Sequence, residues 1–427
     1  MSRKPAFRPL SVELEIAAIG ARGDGLARWQ GESVFVPLTL PGDRVVARLE
    51  GRRGDGLAAS LLNVLRPGPD RVDPPCPLFG RCGGCTLQHL AADALGLWKR
   101  DRLVAALGRI GIDSTLIAPL VAIAPGTRRR AAFAFFRHKQ RVVLGFNERA
   151  SHRLVDADPC LLVSPKLTAL LPPLRALLLD CLEPGAGGDA VATLTDSGID
   201  LLLQSDRALD LFARERLARF AEEADLARLS WQRSGQPPEP VAHRRAAQIV
   251  MGGVPVALPP GGFLQPSREG EAALVGLVLA ALPQKGVIAD LFAGSGSFTF
   301  PLARAGHAVH AVEGEDSTFS ALMAAARAAG LAITGEQRDL ARRPLLAAEL
   351  KRFEGLVFDP PRAGAAAQAE QLAKAGPPVL VAVSCNPATL ARDAGLLLEG
   401  GYQLISATPV DQFPWSSHLE AVAVFRR

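Results

Sequence analysis

From Ser267 onward the sequence alternates between short apolar runs and longer segments of helical periodicity, and this alternation most constrains the fold. It begins with "GVIADLFAGSGSF", in which an apolar run leads into a glycine-rich turn and a helix start. Strands that alternate with helices build a parallel sheet with helices on both faces. We therefore predict a doubly wound α/β domain over residues 263–427.

Upstream of this domain the pattern is different. Alternating runs separated by glycine turns fill residues 11–63 and predict about five strands, which fit a small barrel of oligonucleotide-binding type over residues 1–64. The proline-rich stretch "RPGPDRVDPPCPLFG" then marks a boundary. We predict a middle α+β domain over residues 65–262, with an amphipathic helix near residues 91–110.

Length and composition set broad limits. A chain of 427 residues exceeds what one hydrophobic core usually supports, so several domains are expected. Apolar stretches such as "AALVGLVLAALP" are too short to cross a bilayer. The N-terminal "MSRKPAFRPL" is basic but lacks the apolar core of a secretory signal. We expect a cytoplasmic monomer without a membrane partner.

Basic residues are concentrated in residues 128–153, which contain eight Lys and Arg and one acid, Glu148. Four phenylalanines are interleaved with them, namely Phe133, Phe135, Phe136 and Phe146. Basic groups neutralise phosphates and aromatic faces stack on bases, so the segment predicts RNA binding. The alternative is a β-ribbon with a solvated basic face and phenylalanines in the core.

The turn in "DLFAGSGSFTFPLA" suits a nucleoside ligand, because glycines let the backbone approach closely and a helix N-terminus offers N–H groups. Glu313 ends the next strand, where an acid can accept hydrogen bonds from ribose hydroxyls. A dinucleotide fingerprint would have glycine at Thr299. These features favour an adenosyl ligand over NAD, and a purely structural turn is the alternative.

Three residues at strand ends carry the chemistry. Cys385, in "VLVAVSCNPATLARD", follows a strand and precedes a helix whose N-terminus would favour a thiolate, although a buried small hydrophobe is the alternative. Asp359, in "GLVFDPPRAG", ends another strand. Glu420 stands among apolar neighbours, so burial should move its pKa towards neutrality, as a general base requires.

A thiol, a carboxylate and an adenosyl cofactor together suit one reaction. C5 of a pyrimidine is a poor nucleophile, and a thiolate that adds at C6 converts it into an enolate that can accept a methyl group. A base must then remove the C5 proton so that the cysteine can leave. We predict that Cys385 and Glu420 perform these two steps.

The sequence resembles the S-adenosylmethionine-dependent RNA uracil-C5 methyltransferases in six motifs, in order "FLQPS", "DLFAGSGSF", "AVEG", "FDPPR", "SCNP" and "DQFPWSSHLEAV". The resemblance implies a Rossmann-like methyltransferase domain. A front barrel of the TRAM type together with an iron–sulfur cluster is similar to the branch that modifies bacterial 23S rRNA, whereas the tRNA branch lacks both. RNA is therefore the implied partner, most of all 23S rRNA.

The resemblance also assigns residues. It makes Cys385 the nucleophile and Glu420 the base. The positions at which the family contacts S-adenosylmethionine are Gln265, Phe292, Ser297, Glu313, Asp339 and Asp359. Ser297 stands where Asn is common in the family, and Pro266 and Ser267 replace a small apolar residue and Asn.

Three cysteines lie close together in "CPLFGRCGGC", and Cys160 is a plausible fourth member of the group. Cys76, Cys82 and Cys85 suit either zinc or an iron–sulfur cluster, with unligated cysteines as the alternative. The resemblance favours a [4Fe-4S] cluster of structural or RNA-shaping function, because methyl transfer consumes no electrons. Cys181 is predicted at a helix core position.

Other functions fit parts of the sequence. The same chemistry could act on tRNA, and a cytosine-C5 methyltransferase shares the thiolate addition but uses different motifs around its cysteine. A third alternative is an iron–sulfur RNA-binding protein with an inactive methyltransferase domain.

Overall fold

The computed structural model describes residues 9–427, which divide into two compact units. The first unit comprises the chain up to Lys99 and two segments from later in the sequence, Asn147–Arg153 and Trp415–Ser417. The second unit comprises Arg100–Phe146, Leu154–Pro414 and His418–Arg427.

The first unit is built on a sheet in the order β1-β5-β6-β4-β3-β2. Its strands are β1 (Leu10–Glu15), β2 (Ala18–Ile19), β3 (Gly25–Trp29), β4 (Glu32–Val36), β5 (Arg44–Arg53) and β6 (Gly56–Arg66). Alternate residues such as Val45, Ala47 and Leu49 are buried, as period-two strands require. The strands predicted for residues 11–63 are present, and their closure into a barrel remains a prediction.

The helix predicted near residues 91–110 is confirmed as α1 (Ala92–Gly108), and a short strand, β7 (Val121–Ala122), follows it. The second unit then forms a sheet in the order β10-β9-β8-β11-β12-β13-β14. Its strands are β8 (Arg130–Arg137), β9 (Val142–Asn147), β10 (Leu154–Asp156), β11 (Gly187–Thr195), β12 (Gly198–Gln204), β13 (Arg228–Gln232) and β14 (Glu239–His243). Its helices are α2 (Pro165–Thr168), α3 (Leu171–Cys181) and α4 (Leu211–Glu223).

Strand β8 decides between the two interpretations of the basic segment. Phe133 and Phe135 are buried in the core of this sheet, and the Phe146 ring lies 5.2 Å from the Phe133 ring. Phe136 points the other way and is 38% exposed. The prediction that Phe133 and Phe135 stack on bases is therefore wrong, because strand alternation turns them inward; the alternative of core phenylalanines is confirmed for both.

The rest of the second unit contains a hairpin, a mixed sheet and the helices that cover it. The hairpin is β15 (Gln248–Met251) and β16 (Val254–Ala257). The sheet strands are β17 (Val287–Leu291), β18 (Ala308–Glu313), β19 (Ile333–Gln337), β20 (Gly355–Phe358), β21 (Val379–Ser384), β22 (Gln403–Asp411) and β23 (Glu420–Arg426). The helices are α5 (Arg268–Ala281), α6 (Thr299–Arg304), α7 (Asp316–Ala329), α8 (Ala347–Leu350), α9 (Ala366–Ala375) and α10 (Pro387–Glu399).

This sheet has the order β19-β18-β17-β20-β21-β23-β22-β7. Strands β17 to β21 pair in parallel, as predicted, but β23 runs antiparallel to both β21 and β22. The expectation of an entirely parallel sheet is therefore wrong at this edge. The chain changes direction across the sheet between β17 and β20, and the carboxyl ends of such strands flank a ligand crevice.

Both faces of the sheet are covered, as the alternation of strands and helices predicted. Ile288, Val357 and Val381 pack on one face in a cluster that includes Leu274 of α5. Their chain neighbours Ala289, Leu356 and Leu380 pack on the opposite face in a cluster that includes Leu390 of α10. The central strands are thus buried on both sides, and their carboxyl ends are where polar side chains accumulate.

Among the described residues, no helix has both the length and the apolar character needed to cross a membrane.

Candidate active site

A cavity of about 810 Å³ opens at the carboxyl edge of the mixed sheet, within the second unit. Seven of the eight residues predicted for catalysis or cofactor contact line it: Gln265, Phe292, Ser297, Glu313, Asp359, Cys385 and Glu420. Residues from separate parts of the sequence converge here because their strands end at one edge of the sheet.

The glycine-rich turn after β17 forms one wall of the cavity. Phe292 has φ +59°, a backbone conformation that is uncommon for residues with a side chain and often marks a functional site. Gly296 has φ +101°, and a Cβ atom there would lie 2.4 Å from the Phe300 ring. The turn therefore requires glycine at position 296 both for its backbone angle and for its packing.

Glu313 lies at the end of β18, beside this turn. Its carboxylate accepts hydrogen bonds from the N–H groups of Gly294 (2.8 Å), Gly314 (2.7 Å) and Glu315 (2.8 Å). Three donors fix the carboxylate at the cavity wall, and its oxygens retain acceptor capacity for the hydroxyls of a ligand. The ribose-binding role of Glu313 stays a prediction.

Ser297 is held by a partly buried ion pair. Its hydroxyl donates to Glu271 at 2.7 Å, and the other oxygen of Glu271 accepts from Arg129 at 2.8 Å. Arg129 is 3% exposed and also donates to the carbonyl oxygen of Gln265 at 3.0 Å. One arginine of the basic segment thus connects the glycine-rich turn with the FLQPS segment.

Cys385 and Glu420 are brought together by the reversed strand. Ser384, the last residue of β21, pairs with Ala421 of β23. Because β23 is antiparallel to β21, its first residue, Glu420, lies at the edge where β21 ends and Cys385 follows. Residues 35 positions apart in the sequence therefore line one cavity.

The two carboxyls beside the thiol hold protons tightly. Burial, and then the charge of Asp359, raise the pKa of Glu420 well above its usual value, in the direction predicted for a base. Burial likewise raises the pKa of Asp359 to about 7, while an N–H group of Gln265, 3.2 Å from its Oδ2 atom, opposes the rise. Ionising one of these interacting groups makes ionisation of the other costlier.

The helix predicted to follow Cys385 is present, but the surroundings of the thiol raise its pKa. Helix α10 does begin at Pro387, with Asn386 as its N-cap. Burial nevertheless raises the pKa of the Cys385 thiol to about 11, and Glu420 and Asp359 raise it as well, whereas Arg362 lowers it. Desolvation and two nearby carboxyls outweigh the effect of Arg362.

Cationic and aromatic side chains lie on the wall that carries Cys385. The Arg362 guanidinium is 3.4 Å from Nδ1 of His418, and both residues are exposed. The His418 ring meets Phe413 edge-on at 5.6 Å, and Arg128 lies 5.5 Å from the centre of the Phe413 ring. This wall combines positive charge with π-faces, the features that bind a nucleotide phosphate and its base.

The sequence of this chain is similar to those of known RNA methyltransferases. The family described as tRNA (Uracil-5-)-methyltransferase matches residues 257–427. An uncharacterized RNA methyltransferase of Mesorhizobium japonicum is 44% identical over 97% of this chain and 98% of its own. The 23S rRNA (uracil(1939)-C(5))-methyltransferase RlmD of Halomonas elongata is 37% identical over 96% of this chain and 88% of its own.

The chain belongs to the S-adenosylmethionine-dependent RNA uracil-C5 methyltransferases. The solved structure of Pyrococcus abyssi tRNA (uracil-54, C5)-methyltransferase with S-adenosyl-L-homocysteine has the same fold, with a TM-score of 0.77 over 97% of this chain and 100% of that one at 22% identity. The α/β methyltransferase fold predicted from the motifs is thereby confirmed.

One residue assigned from the family pattern lies elsewhere. Asp339 does not line the cavity; its carboxylate accepts from the N–H of Ala341 at 3.0 Å and lies 3.5 Å from Arg342. Its contact with the cofactor remains a prediction. Arg129 and Glu271 were not predicted from the sequence. The two residues lie 142 positions apart, so their ion pair leaves no local sequence pattern.

The cysteines predicted to hold a metal cluster are not grouped as the cavity residues are. Cys76, Cys82, Cys85 and Cys160 form no disulfide, and all four are partly exposed. Within residues 9–427, no three His, Cys, Asp or Glu side chains are grouped so that they could hold a metal ion. The iron–sulfur cluster therefore stays a prediction. Cys181, the last residue of α3, packs partly buried against the core of its unit, as predicted.

Proposed function

We propose that this enzyme methylates C5 of a uridine in 23S rRNA, with Cys385 as the nucleophile and Glu420 as the base. One observation carries the proposal: a thiol and a buried carboxyl, supplied by antiparallel strands, line one cavity together with the glycine-rich turn. The relative that acts on 23S rRNA is similar over nearly the whole chain, which supports the choice of RNA.

The residues would act in sequence. Cys385 loses its proton to solvent, and its Sγ atom forms a bond to C6 of the uracil, moving the C5–C6 π electrons into an enolate. S-adenosylmethionine, when bound, supplies the electrophilic methyl group that becomes attached to C5. Glu420 then removes the C5 proton, the C5–C6 double bond re-forms and the C6–S bond breaks.

The raised pKa values fit this order of events. Glu420 is a stronger base than an exposed carboxylate once it is ionised, because burial and Asp359 both favour its protonated form. Arg362 is the cation that favours the Cys385 thiolate. A uridine phosphate bound by Arg362 would lie in the same cavity as Cys385, and flipping the nucleotide out of its stack is what such a pocket requires.

The first test is tritium release from RNA labelled at uracil C5, measured with a 23S rRNA fragment and with a tRNA transcript. We expect release from the 23S fragment that disappears in Cys385→Ala. Cys181→Ala is a matched control, because burial raises the pKa of that partly buried thiol to about 11 as well. Release from tRNA alone would move the assignment to tRNA, and no release from either RNA would refute uracil-C5 methylation.

We further propose that residues 1–64 form the TRAM-type barrel that grips RNA, as the strands β1 to β6 and the cationic residues of β5 allow. Deleting residues 1–64 should weaken binding of the 23S fragment while leaving S-adenosylhomocysteine binding unchanged, since the residues lining the cavity all follow position 127. Equal RNA affinity for the two proteins would refute this role.

The iron–sulfur cluster remains a separate proposal, supported by the spacing of Cys76, Cys82 and Cys85 and by the family resemblance. No step of the reaction above passes through it. Iron and acid-labile sulfide, measured on protein purified without air, should be present in the wild type and lost in Cys82→Ser. Wild-type protein with neither iron nor sulfide would refute it.

A further inference from the structure

A second glutamine lies behind Gln265, at the end of β22. Gln412 is 3% exposed, and its Nε2 atom donates to Oε1 of Gln265 at 3.0 Å. Gln265 in turn donates from its Nε2 atom to Oδ2 of Asp359 at 3.2 Å. The two amides and the carboxyl therefore form a directional chain that ends beside Cys385 and Glu420.

The direction of this chain depends on Gln412. A side-chain amide can present either its oxygen or its NH₂ group, and neighbouring hydrogen bonds decide which. With Gln412 donating, Gln265 must present its oxygen to Gln412 and its NH₂ group to Asp359. The backbone of Gln265 is held separately, by Arg129 at 3.0 Å from its carbonyl oxygen. Gln412 therefore acts on the amide orientation and not on the position of the segment.

Room for Gln412 is provided by a glycine in the first turn of α5. A Cβ atom on Gly270 would lie 2.1 Å from Oε1 of Gln412, so an alanine there would push the amide out of place. That Oε1 atom has no hydrogen-bond partner among the described residues. The Gln412 side chain is thus held by the hydrogen bond that its Nε2 atom donates. This arrangement carries the cost of a buried Oε1 atom without a hydrogen bond.

We propose that Gln412 is a positioning residue that fixes the orientation of the Gln265 amide, so that Gln265 donates a hydrogen bond to Asp359 in the cofactor-binding wall of the cavity. Nothing in the family pattern given above assigns a role to Gln412. The proposal rests on the proposed function for its activity readout, but its binding readout needs only the cofactor product.

Two substitutions at Gln412 separate positioning from packing. Gln412→Met has a similar length and removes the donor, so the Gln265 amide becomes free to rotate. Gln412→Glu keeps the shape but accepts when ionised, so the Gln265 amide should turn over and present its oxygen to Asp359. A packing role predicts that the isosteric Glu variant behaves like the wild type, whereas a positioning role predicts that it is the more damaged of the two.

We expect the Met variant to bind S-adenosylhomocysteine about fivefold more weakly, the size of one net hydrogen bond, and the Glu variant to lose about tenfold or more. The acidic limb of the tritium-release rate should move to lower pH in the Glu variant, because Asp359 must then be protonated to donate and a neutral Asp359 no longer raises the pKa of Glu420. The charge of Asp359 also acts on Glu420, Cys385 and Asp290, and these three residues are unchanged in both variants.

A matched pair of glycines in α5 provides an independent test. Gly270→Ala displaces Gln412 without altering its amide, whereas a Cβ atom on Gly276 would meet nothing within 4 Å. Calorimetric binding of S-adenosylhomocysteine should weaken severalfold in Gly270→Ala and stay unchanged in Gly276→Ala, with thermal melts checking that each protein is folded. A Gly270→Ala protein that is folded and binds as well as the wild type would overturn the proposal.

Other outcomes are equally decisive. If the Glu variant binds and reacts like the wild type, or is less damaged than the Met variant, the positioning role is refuted. If the wild type releases no tritium but the binding order is wild type, then Met, then Glu, the proposed function fails and the role of Gln412 stands.

Discussion

Glu313 and Glu420 line the same cavity, yet their surroundings are opposite. Glu313 accepts hydrogen bonds from three backbone N–H groups, which hold its carboxylate in place. Glu420 is 6% exposed and interacts with a second carboxyl, Asp359, so its charge is opposed. The comparison shows how one sheet edge can hold a hydrogen-bonded carboxylate at one end and a carboxyl of raised pKa at the other.

The largest effect should come from Glu420→Gln, which removes the proposed base and keeps the shape of the side chain. Addition of Cys385 and methyl transfer can still occur, but the C5 proton stays in place and the enzyme remains attached to the RNA. We expect turnover to fall by about 10²–10⁴-fold. A covalent protein–RNA band should accumulate on denaturing gels, and it should be absent in the Cys385→Ala, Glu420→Gln double variant. A variant that releases tritium at the wild-type rate would show that Glu420 is not the base.

Thiol reactivity tests the same end of the cavity without RNA. A thiol pKa of about 11 instead of the usual 9 leaves about a hundredfold less thiolate at pH 8, so iodoacetamide should modify Cys385 correspondingly slowly. Removing the Glu420 charge in Glu420→Gln should raise the rate. Mass spectrometry after timed alkylation measures both, and fast modification of wild-type Cys385 would contradict the electrostatic account.

Glu313→Gln tests the other end. The amide keeps one acceptor oxygen, but its NH₂ group would face N–H donors, so the turn should loosen. S-adenosylhomocysteine should bind about tenfold more weakly, in line with loss of charge-assisted hydrogen bonds. At saturating cofactor the turnover number should change little, in contrast to Glu420→Gln. If Glu313→Gln lost cofactor affinity and turnover equally, the proposed difference between Glu313 and Glu420 would be refuted.

Asp290, buried between these ends, should affect stability more than activity. Burial raises its pKa from 3.8 to about 7, so the folded state binds the extra proton and loses that stabilisation as the pH rises from about 4 through about 7. The difference in stability between Asp290→Asn and the wild type should therefore be more favourable to the variant at pH 8 than at pH 5. Thermal melts at the two pH values measure this difference, and the exposed Asp189→Asn is the control. An unchanged difference would contradict the raised pKa.

Much of the candidate site could be predicted from short stretches of sequence, and the features that could not depend on contacts between distant residues. The strand ends that carry Asp359 and Cys385, the glycine-rich turn and Glu313 are each encoded within a few consecutive residues. The burial of Phe133 and Phe135 follows from strand register, which the basic residues around them do not reveal. The direction of β23, the Arg129–Glu271 ion pair and the high thiol pKa depend on contacts between distant segments, and no local pattern records them.

The reversed strand also has a consequence for how the protein is made. β23 is the last strand in the sequence, yet it lies between β21 and β22, which are synthesised before it. The two earlier strands must leave a gap, or pair only transiently, until translation has passed Arg426. Long-range pairings of this kind form late in folding. Cys385 is thus made before Glu420, and this edge of the cavity assembles only as the final strand enters the sheet.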